Sequence, residues 1–430
     1  MTSNITAGAN AGWREQTMSY FDAVETLDPA ERERRLMARL PMQIAHAKAH
    51  SPYFAGALAG VDAPEVDTRA ALSALPVLRK RALIELQKGQ KPFGGLTATP
   101  LTEPCAGLGR VFSSPGPIYD PEGRGADWWR FGRSLYAAGF RAGDLVHNTF
   151  SYHFTPAGFM LDSAAQRIGC CVFPAGTGQT EMQVAAINEL RPRAYAGTPS
   201  FLKILLERAD ELGADVSSLK LASVSGEALF PAQKALFSER GISVFQAYGT
   251  ADLGLVAYET EAREGMVLAE DLILEIVRPG TNEPVATGEV GEVVITSLNP
   301  DYPLIRFGTG DLSAVMPGVS SCGRTNTRIR GWLGRADQTT KVRGMFVHPE
   351  QVAEVLKRHP EVERARLVVT NPDGNDLMML HCAAVGGEAL IRAIDASIRS
   401  VTKLRGEVRL VPPGSLPNDG KVIEDARKYD

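Results

Sequence analysis

Between about residues 125 and 245 the chain alternates short apolar runs with segments of helical periodicity, and this rhythm limits the possible fold more than any other feature. GDLVHNTF, CCVFPA, AYAGT, LKLASVSGE and ISVFQAYG read as strands bounded by Gly, Pro or polar residues. DWWRFGRSLYAAGF, GFMLDSAAQRIG, QTEMQVAAINELRP, PSFLKILLERADELG and PAQKALFSERG read as the intervening helices. A βα repeat implies parallel strands, because each return to the sheet in the same direction needs a crossover, and the helices then cover both faces. Ligands of such sheets bind beyond the carboxyl ends of the strands. The Gly-rich and polar exits GTPS, SGEAL and YGTAD are therefore expected to open onto one crevice.

Outside that block the pattern changes. Residues 266–315 (MVLAEDLILEIV, GEVGEVVITSL, PLIRFGTGDLSAV) predict hairpins of a small antiparallel sheet or barrel. From about 336 onward KVRGMFV, VERARLVVT, LMMLHCAAV and EVRLVPP read as strands, and HPEQVAEVLKRHP and ALIRAIDASIRSVTKL as helices, giving a compact α+β unit. A chain of 430 residues exceeds what one core organises, so at least two packing units are expected. Near the start, Asp28 to His50 has helical spacing of Leu36, Leu40, Ile44 and Ala47. His46 and His50 fall at metal-ligand spacing on that helix, but with no third candidate nearby they read as a solvated helix end.

Composition excludes several classes. Forty-six basic residues are interspersed among 50 acidic ones, for a net charge of −4, which leaves no basic stripe for nucleic acid. The N-terminal MTSNITAGANAGWREQ has neither a signal-peptide pattern nor an Arg-rich amphipathic face, and no apolar run is long enough to cross a bilayer. The five cysteines are odd in number, which fits reduced thiols in the cytoplasm, the expected location. Cys170 and Cys171 lie in an apolar strand pattern that disfavours a thiolate nucleophile. GxSxG, HExxH and Walker-type GKS/T motifs do not occur.

Four segments go beyond fold: SVSGEAL (223–229), QAYGTADLG (246–254), RFGTGDL (306–312) and LGRADQTTKVRG (333–344), followed by LPNDGK (416–421). In order and spacing they resemble the adenylate-forming acyl-CoA ligases, and within them the phenylacetate-CoA ligase and coenzyme F390 synthetase branch. LPVLRKRALIELQKGQKPFGG (75–95) is similar to that branch's N-terminal LP-x-x-K-x-x-L stretch. The resemblance implies an α/β fold, with a flexible start at 1–15, an adenylation domain at 16–333 built of parallel α/β sheets plus a small β-barrel-like part, a hinge at 334–338, and a small mobile α+β domain at 339–430. It implies an AMP-forming ligase that joins a small aromatic, arylacetate-like acid to CoA through an acyl-adenylate, using ATP and Mg²⁺. Two alternatives stay open: adenylate formation without CoA transfer, and a degenerate homologue that binds ligand without turnover. A homodimer is expected from the frequency of C2 assemblies.

Site residues follow from the matched motifs. Asp311 comes after GTG, where a tight turn can expose a carboxylate to both ribose hydroxyls, and the resemblance adds Arg335 for the same sugar. Gly226, Glu227, Ala247, Tyr248 and Gly249 match the adenine-binding segments, with Tyr248 as the aromatic face. Asp252 stands where the family has a Glu for Mg²⁺. Ala251 stands where a hydroxyl is usual for the α-phosphate, so Thr250 is the substitute. Lys421 matches the lysine that offsets the charge of the first half-reaction. The resemblance also puts the hinge at Asp337 and CoA contacts at Lys341, Arg343 and Gly344. The acyl pocket is expected from 148–159 with Gly197, Thr198 and Pro199. Tyr152 and Phe154 would sandwich a ring there, while His153 either bonds a substituent or ends the strand. The zinc cluster of some branch members is not expected, since AYETEAREGMV has no Cys or His.

VFSSPGPIYDPEG (111–123) departs most from the family. Ser113 and Ser114 match the start of a phosphate-binding loop and Tyr119 its exit, but about six residues between them, including the threonines and lysine, are missing. Alone, the stretch reads as a proline-stiffened turn.

Overall fold

The computed structural model describes residues 20–101, 107–277, 282–336, 338–343, 345–347, 349–372, 376–416 and 422–427. The helix Pro29–His50 begins at Asp28, whose carboxylate accepts from the amides of Ala30 and Glu31 and so satisfies two first-turn donors. Its apolar stripe is buried as predicted, and His46 Nε2 lies 2.9 Å from the Pro300 carbonyl. A two-residue strand, Leu78–Arg79 (β1), follows, then an antiparallel hairpin of Leu108–Ser114 (β2) and Ile118–Gly123 (β3). The VFSSPGPIYDPEG stretch is this hairpin. Its exposed turn is Pro115, Gly116 and Pro117, across which the Ser114 hydroxyl donates to the Ile118 carbonyl at 3.4 Å.

The βα block supplies Leu145–Asn148 (β4), Cys171–Pro174 (β5), Ala194–Gly197 (β6), Leu221–Val224 (β7) and Ser243–Thr250 (β8). They are parallel, in the order β8-β7-β6-β4-β5, with the helices Ala157–Ile168, Thr180–Leu190, Pro199–Leu212 and Pro231–Glu239 as crossovers. The first predicted helix is shorter than its pattern. Only Gly132–Ala137 is helical, because Asp127 and Arg130 take left-handed backbone angles that turn the chain and send Trp129 fully into the core. β5 is an edge strand with Cys171 exposed, whereas Cys170 is buried.

Beyond β8 the pairing becomes antiparallel. Gly254–Glu259 (β9) and Met266–Leu268 (β10) continue the large sheet, while Leu272–Val277 (β11), Gly291–Ser297 (β12) and Phe307–Ser313 (β13) form the expected small one. Val315–Met316 (β14) and Arg328–Ile329 (β15) return to complete nine strands in the large sheet. Two features depart from the sequence pattern: β10 leaves the small sheet, and β1, from far upstream, joins it parallel to β13. The predicted strand KVRGMFV is a hairpin of Thr340–Val342 (β16) and Met345–Val347 (β17). The C-terminal unit pairs Arg364–Thr370 (β18), Leu377–Ala383 (β19), Glu407–Val411 (β20) and Ile423–Asp425 (β21) in the order β20-β19-β18-β21. Val352, Leu367, Leu380, Ile394 and Ile398 belong to a core of its own. No helix among the described residues is long and apolar enough to cross a membrane.

Arg306 ties the upstream segment to the small sheet. Its guanidinium is wholly buried, forks onto Glu275 with two 2.9 Å bonds, and donates to the carbonyls of Ser73, Leu75 and Asn282. Its own carbonyl accepts from the Leu78 amide at 3.0 Å, which sets β1 against β13. A buried pair of this kind loses most when one partner is removed, because the other charge stays desolvated. Glu275→Ala is therefore expected to cost about 3–5 kcal/mol in urea unfolding. An m-value equal to wild type would show that the loss lies in the native state.

Candidate functional site

The exits of β6, β7 and β8 converge, and small residues hold them close. A Cβ at Gly197 would collide with the Thr149 and Tyr195 hydroxyls, and Tyr195 in turn donates to the Thr198 carbonyl at 3.0 Å. Thr198 caps the helix Pro199–Leu212, with Pro199 as its first residue. Gly226 has a left-handed φ of 84°, and a Cβ there would touch Thr198 and Phe150 at 3.7 and 3.8 Å. Glu227 is exposed beyond β7, and its carboxylate accepts from the Ser200 amide at 2.7 Å and from the Ser200 hydroxyl, at the start of that helix. A surface cleft of ≈ 420 Å³ lies at the opposite, amino ends of the strands, lined by Gly139, Leu221 and Ser243. By the strand-exit rule that cleft is unrelated to the crevice.

Asp311 is the centre of the crevice's polar side. One oxygen accepts from the Tyr248 hydroxyl at 2.8 Å, and the other from Arg335 at 2.8 Å and the Trp332 indole at 3.0 Å. Tyr248 is buried, and burial together with the Asp311 charge holds its hydroxyl far above the usual phenol range. A neutral Tyr248 thus serves as donor to the Asp311 carboxylate. Three residues from separate motifs, Tyr248, Asp311 and Arg335, are brought together, and Trp332 joins them unforeseen.

Asp252 lies in the turn between β8 and β9, where the sheet changes from parallel to antiparallel. The Thr250 hydroxyl accepts from the Leu253 amide at 3.1 Å and shapes that turn, while a Cβ at Gly254 would collide with Trp129. Asp252 Oδ2 is 2.6 Å from Lys80 Nζ, and Oδ1 is buried with no hydrogen-bond partner. Burial opposes the Lys80 charge, but Asp252, with Asp120 and Asp311, more than reverses this and raises its pKa. Asp120, on β3, is fully buried, and its oxygens make no close hydrogen bond, although the Ser114 hydroxyl and amide are near enough to favour its charge. Burial and the Asp252 charge push its carboxyl up to about 7, against the opposing effect of Lys80. The Tyr302 hydroxyl is buried without a partner within electrostatic reach of both carboxylates. Among the described residues no three His, Cys, Asp or Glu side chains group as a metal cage.

The acyl-pocket segment abuts the hairpin, since the Ser113 amide donates to the Phe154 carbonyl at 2.9 Å. Tyr152 is pinned, its hydroxyl donating to Asp162 at 2.9 Å and accepting from Asn148 at 2.7 Å, with its ring edge-on to Phe159. His153 and Phe154 are exposed and pack on each other, and Phe154 has a left-handed φ of 63°. Lys341 and Arg343 belong to the C-terminal unit. Lys341 lies over the Phe346 ring, and the Arg343 amide donates to Asp376 at 2.8 Å. Asp337, Gly344 and Lys421 lie outside the described residues.

The AMP-binding enzyme family matches residues 130–299, which carry β4 to β12. Over 375 residues the chain is 33% identical to the phenylacetate-coenzyme A ligase of Thermus thermophilus, covering 83% of this chain and 82% of that one. The chain belongs to the phenylacetate-CoA ligase branch of the adenylate-forming superfamily. The corresponding ligase of Aromatoleum evansii is 29% identical over 372 residues, with coverage of 83% and 82%. Among solved structures, 2-hydroxyisobutyryl-CoA ligase in complex with 2-HIB-AMP and CoA aligns with a TM-score of 0.78 at 25% identity, covering 99% of this chain and 97% of that one. Within this branch frame, Lys80, Asp120, Trp332 and Tyr302 are the site residues that sequence reading missed. Lys80 had a signal, lying one place beyond the lysine position of LP-x-x-K-x-x-L, which Arg79 occupies here.

The Asp120 shift has a measurable sign. Its folded pKa of about 7 exceeds the ordinary 3.8, so the folded chain keeps a proton that the unfolded chain has released. The corresponding stability is fully present below pH 3.8 and is lost as pH rises through about 7. In chelator, Asp120→Asn should gain Tm relative to wild type as pH is raised from 5 to 8. A difference that stays constant over this range would rule out the assigned shift.

Proposed function

We propose that this AMP-forming, ATP-dependent acid-CoA ligase acts on a small aromatic acid of the arylacetate kind. The observation that carries the reading is the convergence on Asp311 of Tyr248, Trp332 and Arg335, beside the Lys80 and Asp252 pair, at the strand exits. A buried carboxylate so held is poised to accept from ribose hydroxyls, with the Tyr248 ring as a face for the base. The acid's carboxylate attacks the α-phosphate of ATP, forming the mixed anhydride and releasing pyrophosphate. The CoA thiol then attacks the acyl carbon, the thioester forms, and AMP and a proton leave.

Asp252 fits a divalent cation: it offers hard oxygen, and its buried Oδ1 has no partner. When bound, Mg²⁺ supplies charge neutralisation on the departing phosphates. Lys80 brings to this place the positive charge that the shortened hairpin lacks. Ser114 is committed to its own turn, so backbone groups and Ser113 are what the hairpin offers. Lys421 bridges the two reacting anions in the first half-reaction. Movement of 339–430 about 334–338, with Asp337 at the pivot, then replaces Lys421 by the segment around Lys341, Arg343 and Gly344 for CoA.

A second reading of the acid has one observation in its favour. The relative matched over 99% of this chain holds a compact branched hydroxy acid adenylate, and the Tyr152 hydroxyl here is committed to Asp162. Pyrophosphate release with phenylacetate, other aryl acids and 2-hydroxyisobutyrate, each with and without CoA, separates the readings. Aryl acids should give the highest kcat/KM, and AMP should appear only with CoA. AMP release without CoA would point to the adenylation-only alternative, and ligand-raised Tm without any pyrophosphate to a binding homologue. Lys421→Ala should slow adenylation by about 10²–10³-fold while leaving thioester formation from supplied acyl-adenylate within about threefold.

A further inference from the structure

The place the family gives to a phosphate loop is here a short hairpin, and its strand β3 carries a carboxylate that nothing in the protein compensates fully. Gln87 fixes that strand from the side. Its amide donates to the Tyr119 carbonyl at 2.9 Å and accepts from the Tyr119 amide at 2.8 Å, so a side chain takes the part of a neighbouring strand. Gln87 and Lys80 belong to one short stretch, the turn Lys80–Ala82 followed by the helix Leu83–Gly89. The same stretch thus sets Asp120, next to Tyr119, and places Lys80 on Asp252. Lys80 Nζ is 2.6 Å from Asp252 Oδ2, and Asp120 and the Tyr302 hydroxyl lie within electrostatic reach of that pair.

Four oxygen atoms in this group are buried without a close hydrogen-bond partner: Oδ1 of Asp252, the Tyr302 hydroxyl and both of Asp120, to which only the Ser114 hydroxyl and amide come near. Orphaned buried oxygens are expensive unless a ligand satisfies them. Two carboxylates face one ammonium, and the proton that burial keeps on Asp120 stands in for the missing second positive charge. A divalent cation in place of the lysine and that proton would balance both carboxylates. Magnesium is usually held by one or two carboxylates plus phosphate oxygens and water.

We propose that Asp120 is the second carboxylate ligand of the divalent cation that accompanies the nucleotide, and that Lys80 holds the place of that cation on Asp252 when no nucleotide is bound. This rests on the reading of Asp252 as a cation ligand. On nucleotide binding Lys80 exchanges the Asp252 carboxylate for a phosphate oxygen, and the vacated oxygen joins Asp120 on the metal. A loop that lost its hydroxyls and lysine would thereby recover a metal-mediated hold on the phosphates from the strand behind it.

The test measures binding, not turnover. Mn²⁺ bound to the full chain with α,β-methylene-ATP is titrated by electron paramagnetic resonance for wild type, Asp120→Asn, Asp252→Asn and Lys80→Met. Asp120→Asn should weaken Mn²⁺ at least tenfold, while nucleotide affinity in chelator stays within threefold. Lys80→Met should bind Mn²⁺ without nucleotide more tightly than wild type, and Lys80→Met with Asp120→Asn should lose that gain. Wild-type Mn²⁺ affinity in Asp120→Asn, with Asp252→Asn impaired, would overturn the proposal and leave the Asp252 reading intact. Wild-type affinity in both would overturn the Asp252 reading as well. Should Asp120→Asn fail to fold, the Lys80→Met comparison decides: no gain in nucleotide-free Mn²⁺ binding would overturn the placeholder role and the shared site.

Discussion

The buried fork of Arg306 on Glu275 is the contact on which the arrangement of the site depends. It fixes the carbonyls of Ser73 and Leu75 and, through its own carbonyl, the Leu78 amide, so an upstream segment with little internal structure is aligned on β13. Two residues beyond Leu78 comes Lys80, and four beyond Phe307, its partner in register, comes Asp311. One ion pair therefore sets both the cation and the carboxylate of the crevice. The Arg belongs to RFGTGDL, whose glycines and Asp drew attention for chemistry, yet its own role is to join two parts of the chain.

The second organising fact is the change of pairing at β8. Parallel strands gather their exits on one side, and the first antiparallel turn of the large sheet, at 250–254, falls at that same edge. A polar turn residue there is exposed to whatever the crevice binds. Asp252 is instead buried and paired with Lys80 of the segment 78–89, which is itself tied to the hairpin 108–123 through Gln87. Closure concentrates charge in a region that cannot solvate it, which is the physical condition for strong effects on bound phosphates.

Local pattern made much of this legible. The βα alternation gave the parallel sheet, and of the strand-exit glycines Gly197 stands where a side chain would collide and Gly226 where the backbone is left-handed. The C-terminal strands and helices were readable from their periods, except that KVRGMFV folds back on itself at Arg343, whose left-handed backbone the sequence does not signal. Glu227 shows the limit of motif transfer: the matched residue is present, but its carboxylate is used on the helix start next to it.

By itself the sequence determined the fold class and the family, and it singled out Asp311, Arg335, Tyr248 and Asp252 as site candidates, because these depend on residue type and on spacing along short segments. Only the tertiary structure decided which groups meet them. Lys80, Asp120, Tyr302 and Trp332 come from separate stretches, and nothing local to any of them reports a partner across the chain. Electrostatic compensation is a property of neighbours in space. Whether a carboxylate is a solvated turn residue or a buried ligand therefore depends on what else the fold brings against it.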